Sequence, residues 1–241
     1  MKLSICVATF NGAKFIEQQL SSVLIQLQDG DEVVLADDGS NDDTVARVLS
    51  FGHQVRVVST VRVGGIVSNF ERVLAAASGD GIVLCDQDDV WLPGRLDLIR
   101  RSLTRHHLVM LNGLIVDEHL VPRGTTIFES LGTRVGFLPN LAKNSFVGCC
   151  MAFRSELRDR VLPFPSGVPW HDWYIGLVAE FCGHVERIDK VTMLYRRHGS
   201  NFSPTGDKSR NSLLCKLLIR LAVMRAVLIT LLFRRTKSSV I

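Results

Sequence analysis

The sequence predicts an α/β fold in which helices flank a mostly parallel central sheet, with a helical tail at the C-terminal end. Short β-branched runs alternate with segments of helical spacing throughout the N-terminal part of the chain. Polar, glycine-containing turns separate them. The last segment is strongly apolar but carries cations at intervals, which is typical of a helix rather than of a further strand.

The predicted elements follow one another closely. Strands are predicted at residues 3–9, 32–36, 54–59 and 81–85, and helices at residues 13–28, 42–49 and 66–77 and from Pro93 onward, where proline suits the first helical position. After about Arg105 the alternation weakens, leaving apolar runs at 108–116 and 146–153 and a helical pattern at 171–182. We therefore divide the chain into residues 1–105, residues 106–205 of the same domain, and a tail of residues 206–241.

The amino-acid composition indicates the general class of protein and the kinds of partner to expect. The chain is 46% hydrophobic, which is enough for one large core. Its net charge is +4, but acidic and basic residues alternate along most of the chain, so we expect no nucleic-acid partner. The six cysteines form no Cys-x-x-Cys pair and lie mostly in apolar runs, which predicts buried, reduced thiols. The first residues do not resemble a secretory signal, so we expect a cytoplasmic protein.

Polar residues follow three of the predicted strands. These are Thr9 and Asn11, then Asp37 and Asp38, then the acidic segment 86–89. Ligands of parallel sheets bind beyond the carboxyl ends of the strands. The N-terminal half is therefore predicted to bind a nucleotide.

The acidic segment 86–89 (Asp-Gln-Asp-Asp) offers oxygen ligands for Mg²⁺ or Mn²⁺ beside a substrate diphosphate. The alternative is that Asp88 or Asp89 only caps the following helix. We favour the metal, because the segment follows a buried strand. For Asp37 and Asp38 the alternative is a polar turn that satisfies its own backbone.

Residues 170–174 place His171 and Asp172 among three aromatic rings. A desolvated carboxylate there suits a general base, and the alternative is the first turn of a core helix. Residues 195–201 bring Arg196 and His198, which suit a diphosphate or a metal, or else form a solvated basic turn.

Five segments in order resemble the family 2 glycosyltransferases. They are residues 7–12 (Val-Ala-Thr-Phe-Asn-Gly), 36–42 (Ala-Asp-Asp-Gly-Ser-Asn-Asp), 86–91, 148–154 and 171–173 (His-Asp-Trp). The resemblance covers about residues 3–201. The forms Asp-Gln-Asp-Asp-x-Trp, His-Asp-Trp and Tyr-Arg-x-His-Gly-Ser-Asn are most similar to the rhamnosyltransferase-like branch.

The resemblance implies a GT-A fold, in which the sheet is Rossmann-like, and an inverting transfer that depends on Mg²⁺ or Mn²⁺. The donor would be a dTDP- or UDP-sugar, with rhamnose a candidate sugar. The acceptor would be a hydroxyl of a growing surface polysaccharide or lipid-linked glycan. Residues 1–105 would then bind the nucleotide-sugar, and residues 106–205 would bind the acceptor and hold the base.

The family's roles transfer residue by residue onto matching positions. Asp172 would be the base, although His171 precedes it where many members have Glu. The nucleoside would be held by Thr9, Phe10, Asn11, Asp37 and Asp38, with Asp86 near the ribose. Asp88 would bind the metal, and Arg196 and His198 would assist at the diphosphate or metal. Gly148, His171 and Trp173 would lie on the acceptor side.

The tail is expected to lie on the cytoplasmic face of the inner membrane. Lys216, Arg220 and Arg225 make a spanning helix costly, at about 2.5–3.5 kcal/mol for each cation near the bilayer centre. Apolar area would come from Leu217, Leu218, Leu221, Val227, Leu228, Leu231 and Leu232, and further cations from Arg234, Arg235 and Lys237. The alternative is a helix docked on the domain's own core.

Two other functions compete with glycosyl transfer. A nucleotidyltransferase also uses carboxylates and a metal, but residues 9–12 lack the glycine-rich, basic phosphate loop expected of it. A catalytically inactive sugar-nucleotide-binding protein is the other, and the presence of both Asp88 and Asp172 argues against it.

Overall fold

A computed structural model describes residues 1–199 and 212–233 of the chain. The strands are β1 Leu3–Thr9, β2 Glu32–Asp37, β3 Val55–Ser59, β4 Gly81–Cys85, β5 Val90–Trp91, β6 Leu108–Val116, β7 Pro122–Thr126, β8 Met151–Arg154 and β9 Val185–Arg196. The helices are α1 Ile16–Leu24, α2 Thr44–Leu49, α3 Ile66–Ala76, α4 Arg95–Leu103, α5 Ile127–Leu131, α6 Phe137–Ala142, α7 Ser155–Val161, α8 His171–Cys182 and α9 Leu213–Phe233.

The strands form one mixed sheet in the order β3-β2-β1-β4-β8-β6-β9-β5, with β7 paired to the side of β6. The first four strands in the chain run parallel, with Cys6 of β1 opposite Val34 on one side and Leu84 on the other. β8 is antiparallel to both β4 and β6, and β6 and β9 are parallel. The predicted α/β fold with a mostly parallel sheet and a helical tail is confirmed.

Helix α3 covers β1 and β2 near their carboxyl ends. Phe70, Val73 and Leu74 are buried on its inner face, at the spacing expected of an amphipathic helix. Asn69, next to Phe70, donates its amide to the carbonyls of Ala36 at 2.9 Å and Thr9 at 3.3 Å. These hydrogen bonds fix the carboxyl ends of β1 and β2, where polar side chains project beyond the sheet.

Two sequence predictions were wrong in detail. Pro93 does not open α4, because Gly94 adopts a left-handed conformation at φ 82° and the helix begins at Arg95. The predicted first helix is shorter, since residues 12–15 form a turn in which the Gly12 carbonyl accepts the Phe15 amide at 3.0 Å. The apolar run at 146–153 contains a 3-10 turn at Gly148–Cys150, which precedes β8.

All six cysteines are free, as predicted. Four of them are buried in the core, and burial raises the pKa of the Cys6 and Cys85 thiols. Cys182 and Cys215 are instead partly exposed, because they lie near a helix end and on the outer helix α9.

The helix α9 docks on α8 and α6 through one face. Val223, Ala226 and Val227 are buried there, and the Thr230 hydroxyl pairs with the Tyr174 hydroxyl at 2.5 Å. Arg220 donates to the carbonyl of Ala142. Apolar side chains are nevertheless exposed on the other face, namely Leu213, Leu214, Leu217, Leu218, Leu221, Leu228, Leu232 and Phe233.

This arrangement corrects the predicted apolar surface of the tail. Val227 is buried and Leu231 packs on the core, so neither contributes to the exposed face. Arg234, Arg235 and Lys237 lie outside the described residues. Within 1–199 and 212–233, no helix is long and apolar enough to cross a membrane.

Candidate active site

A cavity of about 520 Å³ opens at the carboxyl ends of β1, β2 and β4. Its walls include five of the residues predicted from the sequence, which are Thr9, Phe10, Asp38, Asp86 and Asp88. The remaining wall comes from the loop at 62–66, from Asn69 and Gln87, and from Tyr195 of β9. The strand ends therefore bring together side chains from distant parts of the chain.

The turn after β2 is held by its own carboxylates. Asp37 is fully buried, and it accepts hydrogen bonds from the Thr9 hydroxyl at 2.8 Å and from the Ser40 amide at 2.7 Å. Asn11, which is outside the cavity wall, accepts the Asn41 amide at 2.8 Å. These two predicted nucleoside ligands are thus occupied in bracing the turn, as the alternative interpretation of the turn expects.

Asp38 shapes the opposite wall of the cavity. Its carboxylate accepts the backbone amides of Val63, Gly64 and Gly65, the last two at 3.0 and 2.9 Å. Although burial acts in the opposite direction, these hydrogen bonds lower the pKa of Asp38, which is therefore ionised at neutral pH. A carboxylate has about four acceptor positions, so Asp38 retains capacity to accept a further donor from a ligand in the cavity.

Phe10 projects into the cavity and is 42% exposed. Gln87 holds its backbone on both sides, because its side-chain oxygen accepts the Phe10 amide at 2.9 Å and its amide donates to the Phe10 carbonyl at 3.0 Å. A Cβ at Gly12 would come within 2.3 Å of that Gln87 oxygen, so this contact requires glycine there. The guanidinium of Arg62 lies 5.9 Å from the Phe10 ring.

The acidic segment 86–89 carries more negative charge than the surrounding protein compensates. Burial, followed by the charges of Asp88 and Asp172, raises the pKa of Asp86 to about 7. Burial, followed by the charges of Asp88 and Asp86, raises the pKa of Asp89, whose Oδ2 is buried without a hydrogen-bond partner among the described residues. Oxygen atoms of Asp86 and Asp89 lie within 4.8 Å of each other and of the Cys149 sulfur. Such clustered, desolvated carboxylates suit a divalent cation.

Asp88 is paired with a histidine from the far end of β9. The His198 Nε2 lies 2.8 Å from Asp88 Oδ2, with 9% and 11% of the two side chains exposed. A carboxylate and an imidazole at this distance can ligate one divalent cation together. A second cavity of about 360 Å³, lined by residues that include Arg123 and Arg197, adjoins His198, so the pair lies between two openings.

Arg196 braces this part of the site from inside. It is 3% exposed, and its guanidinium donates to the carbonyls of Asp88 at 2.7 Å and Glu118 at 2.6 Å and to Gln18 Oε1 at 2.6 Å. Its backbone amide donates to Asp89 at 3.0 Å. Arg196 is almost entirely buried and lines neither cavity, whereas His198 lines the second cavity, so His198 is the better placed of the two predicted residues to meet a diphosphate or a metal.

Asp172 lies at the first turn of α8, near Asp86. Burial raises its pKa to about 6, and the backbone amides of Trp173 and Gly148 act in the opposite direction. Asp172 lies close enough to Asp86 for its charge to contribute to the raised pKa of Asp86. A group with a pKa near 6 is largely ionised at neutral pH and can still take up a proton.

The residues predicted for the acceptor side separate into two groups. Gly148 and His171 lie beside Asp172, and a Cβ at Gly148 would come within 3.2 Å of the His171 Nε2. His171 stacks on Phe70 with ring centroids 4.2 Å apart, and burial lowers its pKa to about 3, so the imidazole is neutral. Trp173 instead donates its indole to the carbonyl of Asn140 at 2.9 Å, as a core residue does.

Sequence reasoning did not assign roles to two residues of this site. Gln87 lies inside the acidic segment, and its position between two aspartates is the feature of the sequence that could have indicated a role in the site. Arg95 is fully buried and donates to the carbonyl of Cys149. The feature of the sequence that could have indicated it is an arginine shortly after Trp91 in an otherwise apolar stretch.

Several proteins described as glycosyltransferases are similar to this chain in sequence. A cyanobacterial relative from Nostoc, described as an uncharacterized glycosyltransferase, is 25% identical over 83% of the chain, which covers 66% of that relative. The Shigella flexneri dTDP-rhamnosyl transferase RfbG is 26% identical over 81% of the chain and 72% of its own length. The Escherichia coli UDP-Glc:alpha-D-GlcNAc-diphosphoundecaprenol beta-1,3-glucosyltransferase WfgD is 24% identical over 73% of the chain and 68% of its own.

Solved structures share the fold at low identity. The S. aureus TarS 1-349 complex with UDP-GlcNAc has a TM-score of 0.73 and 20% identity, covering 97% of this chain and 67% of TarS. The mannosyltransferase PcManGT from Pyrobaculum calidifontis, in complex with GDP-Man and Mn²⁺, has a TM-score of 0.62 and 21% identity over 83% of this chain and 58% of its own. Both likenesses support the GT-A fold.

The family model for "Glycosyl transferase family 2" matches residues 4–162, which include the cavity wall except Tyr195, the acidic segment 86–89 and the turn Gly148–Cys150. The family expected from the five sequence segments is thus confirmed, and the chain belongs to glycosyl transferase family 2.

Proposed function

We propose that this protein is an inverting, metal-dependent glycosyltransferase that moves a sugar from a nucleoside diphosphate to a hydroxyl of a lipid-linked or polysaccharide acceptor. The observation that carries the proposal is the position of Asp172. It is a desolvated carboxylate with its pKa raised to about 6, in the same site as Asp86. The cavity beside them holds Asp88 on its wall.

The cavity suits a nucleotide-sugar. Its volume of about 520 Å³ lies within the range of small-molecule sites, which is about 300–1,000 Å³. Phe10 offers an exposed ring on which a base can stack, and Asp38 offers an ionised acceptor for a base N–H or a ribose hydroxyl. We propose a dTDP- or UDP-sugar, since relatives of this chain are described as using these two nucleotides.

We propose that Asp88 and His198 hold Mg²⁺ or Mn²⁺, with Asp86 close by. The uncompensated negative charge of the acidic segment and the 2.8 Å contact between Asp88 and His198 fit such an ion. When bound, the ion supplies positive charge that stabilises the departing diphosphate. Arg196 holds the segment in shape through the Asp88 carbonyl.

Asp172 is proposed to act on the acceptor. In its ionised form it accepts the proton of the attacking hydroxyl, and the oxygen forms a bond to the anomeric carbon while the bond to the diphosphate oxygen breaks. Attack from the face opposite the diphosphate inverts the anomeric centre. Burial lowers the pKa of His171 to about 3, so its imidazole is a weaker base than Asp172, and we propose it as a neighbour of the acceptor rather than as the base.

Rhamnose is the proposed sugar, on the basis of the His-Asp-Trp form and the similarity to a dTDP-rhamnosyl transferase. A lipid-linked acceptor is proposed because one relative is described as acting on a diphosphoundecaprenol-linked sugar. The exposed leucines of α9, with Lys216 and Arg225 on the same helix, suit the cytoplasmic surface of an anionic membrane, where such a lipid would be reached.

The first experiment is a donor panel. The protein is incubated with dTDP-rhamnose, UDP-glucose, UDP-N-acetylglucosamine or GDP-mannose, with Mn²⁺ or with a chelator. Water takes the place of the acceptor hydroxyl, and hydrolytic release of the nucleoside diphosphate is measured. We expect release from a dTDP- or UDP-sugar that requires the ion and is lost in Asp172→Asn. Release of inorganic pyrophosphate from nucleoside triphosphates would indicate a nucleotidyltransferase instead, and binding without turnover would indicate an inactive protein.

A further inference from the structure

Arg95 is a fully buried arginine, at 0% exposure, and it follows the acidic segment 86–89 closely in the chain. Burying a guanidinium is costly, so it is expected where the charge or its hydrogen bonds are needed. It lies at the start of α4, with its guanidinium 4.9 Å from the Trp91 ring. The proposed reaction assigns it no contact with either substrate.

The guanidinium of Arg95 joins two elements that are distant in the chain. One nitrogen donates to the Thr192 hydroxyl of β9 at 2.6 Å, and another donates to the carbonyl of Cys149 at 2.6 Å. Thr192 in turn donates to the carbonyl of Asn112 in β6 at 3.2 Å. Cys149, which lies just before β8, is therefore attached through one buried side chain to β9 and β6, the two strands that follow β8 in the sheet.

The turn Gly148–Cys150 touches both halves of the site. The Cys149 sulfur lies within 4.8 Å of carboxylate oxygens of Asp86 and Asp89. The Gly148 amide acts on Asp172 and lowers its pKa against the effect of burial. Gly148 also lies close to His171 and Asp172, because a Cβ there would come within 3.2 Å of the His171 Nε2 and 3.8 Å of the Asp172 Cβ. A small movement of this turn would thus change the surroundings of Asp172.

We propose that Arg95 is a positioning residue, which fixes the turn Gly148–Cys150 between the acidic segment and Asp172 and thereby sets where the base meets the acceptor. The proposal rests on the proposed function for the role of Asp172 as the base. The link between Arg95 and Asp172 is a property of the folded protein and can be measured without turnover.

The groups facing Asp172 determine what such a measurement reports. They are Asp86, whose charge interacts with it, the neutral imidazole of His171, and the amides of Gly148 and Trp173. If Arg95 is removed, the turn loses the hydrogen bond at the Cys149 carbonyl, and the Gly148 amide can shift away from the carboxylate. The pKa of Asp172 should then rise from about 6 by about one unit, which is the scale of one hydrogen bond to a charged group.

The test follows the titration of Asp172 by carbon NMR of ¹³Cγ-labelled aspartate in the whole protein without donor, with the signal assigned by its loss in Asp172→Asn. Arg95→Met removes the guanidinium group and its two hydrogen bonds while keeping a side chain of similar volume. Arg95→Lys keeps a positive charge but cannot donate to Thr192 and Cys149 in the same planar geometry. The matched control is Arg154→Met, because Arg154 also donates to two backbone carbonyls, those of Leu103 and Thr104, away from the site.

We expect the pKa of Asp172 to rise in both Arg95 variants and to stay in place in Arg154→Met. An unchanged pKa in a folded Arg95→Lys protein overturns the proposal, and so does a rise in Arg95→Met that Arg95→Lys fully cancels, because charge alone would explain it. Should Arg95→Met not fold, Arg95→Lys decides.

Turnover gives a second readout if the proposed function holds. The acidic limb of the kcat profile should move upward with the NMR titration in the Arg95 variants, while the KM for the donor changes less than kcat. If the NMR titration moves but no sugar is transferred by the wild-type protein, the proposed function fails and the positioning role stands. A merely structural Arg95 would lower the thermal midpoint as Arg154→Met does and leave both titrations unmoved.

Discussion

The imidazole Nε2 of His198 lies 2.8 Å from a carboxylate oxygen of Asp88, although 110 residues separate them in the chain. The fold makes this contact possible because β5, which directly follows the acidic segment, pairs with β9, which ends two residues before His198. Phe15 supports the imidazole, with ring centroids 4.6 Å apart. The contact joins the N-terminal and C-terminal parts of the described domain at the proposed metal position.

Removing either member of this pair should abolish the effect of a divalent ion on donor binding. Asp88→Asn loses the charge that Mg²⁺ or Mn²⁺ requires, and His198→Ala loses a nitrogen ligand. Calorimetric titration with UDP and dTDP, with Mn²⁺ or with a chelator, measures the effect. Asp97→Asn, on α4, serves as the control and should retain the effect of the ion. Ion-dependent affinity that survives in Asp88→Asn would remove this residue from the site.

The acidic limb of the kcat profile should have an apparent pKa of about 6, because Asp172 must be ionised to take the acceptor proton. Activity is then lost as the pH falls through that value. His171→Gln should leave the position of the limb unchanged whatever it does to the rate, since the pKa of His171 is about 3. A limb that disappears in His171→Gln would assign the titration to the imidazole.

Asp172→Asn should stabilise the protein at pH 7.5 and not below about pH 4. The pKa of Asp172 is raised in the folded state, from 3.8 to about 6, so ionisation costs stability as the pH rises through this window. We expect a gain of about 1 to 2 kcal/mol at pH 7.5, after allowance for partial solvent screening. Thermal unfolding at both pH values checks this, with Asp29→Asn on an exposed turn as the control. Equal changes at the two pH values would contradict the buried position of the carboxylate.

The exposed face of α9 should carry membrane binding. Replacing Leu217, Leu221 and Leu228 by serine should reduce flotation with vesicles that contain anionic lipid, because the exposed apolar area is lost while the docked face is untouched. The control replaces exposed Ile25 and Leu49, which lie elsewhere on the surface, by serine. Equal flotation of both variants, or none for the wild-type protein, would leave α9 as a helix of the domain only.

The sequence was sufficient to predict which side chains leave the sheet at one edge. Thr9, Asp38 and Asp88 each follow or end a strand whose apolar pattern is unambiguous, and parallel strands end at a common edge. The family resemblance then supplied their roles. The pattern also predicted the bounds of β1, β4, β6 and α8, because each is bordered by polar or glycine residues.

The remaining features depend on contacts between distant residues. An arginine at the start of an amphipathic helix is usually a surface residue, and the burial of Arg95 follows only from the approach of Cys149 and Thr192. The sequence does not distinguish Asp37 from Asp38. In the structure, however, the Asp37 carboxylate accepts hydrogen bonds from Thr9 and Ser40. The segment α9 is apolar around most of its circumference, so the sequence did not decide between docking and exposure, and the helix does both.

The anomeric configuration of the product tests the central claim most directly. The donor that is turned over in the panel is supplied with a lipid-linked acceptor, and proton NMR of the released glycan gives the configuration at the transferred sugar for the wild-type protein and for Asp172→Asn. We predict a product inverted relative to the donor, and a rate about 10² to 10⁴ lower in Asp172→Asn with donor affinity nearly unchanged. A retained configuration, or a normal rate in Asp172→Asn, would contradict single displacement with Asp172 as the base.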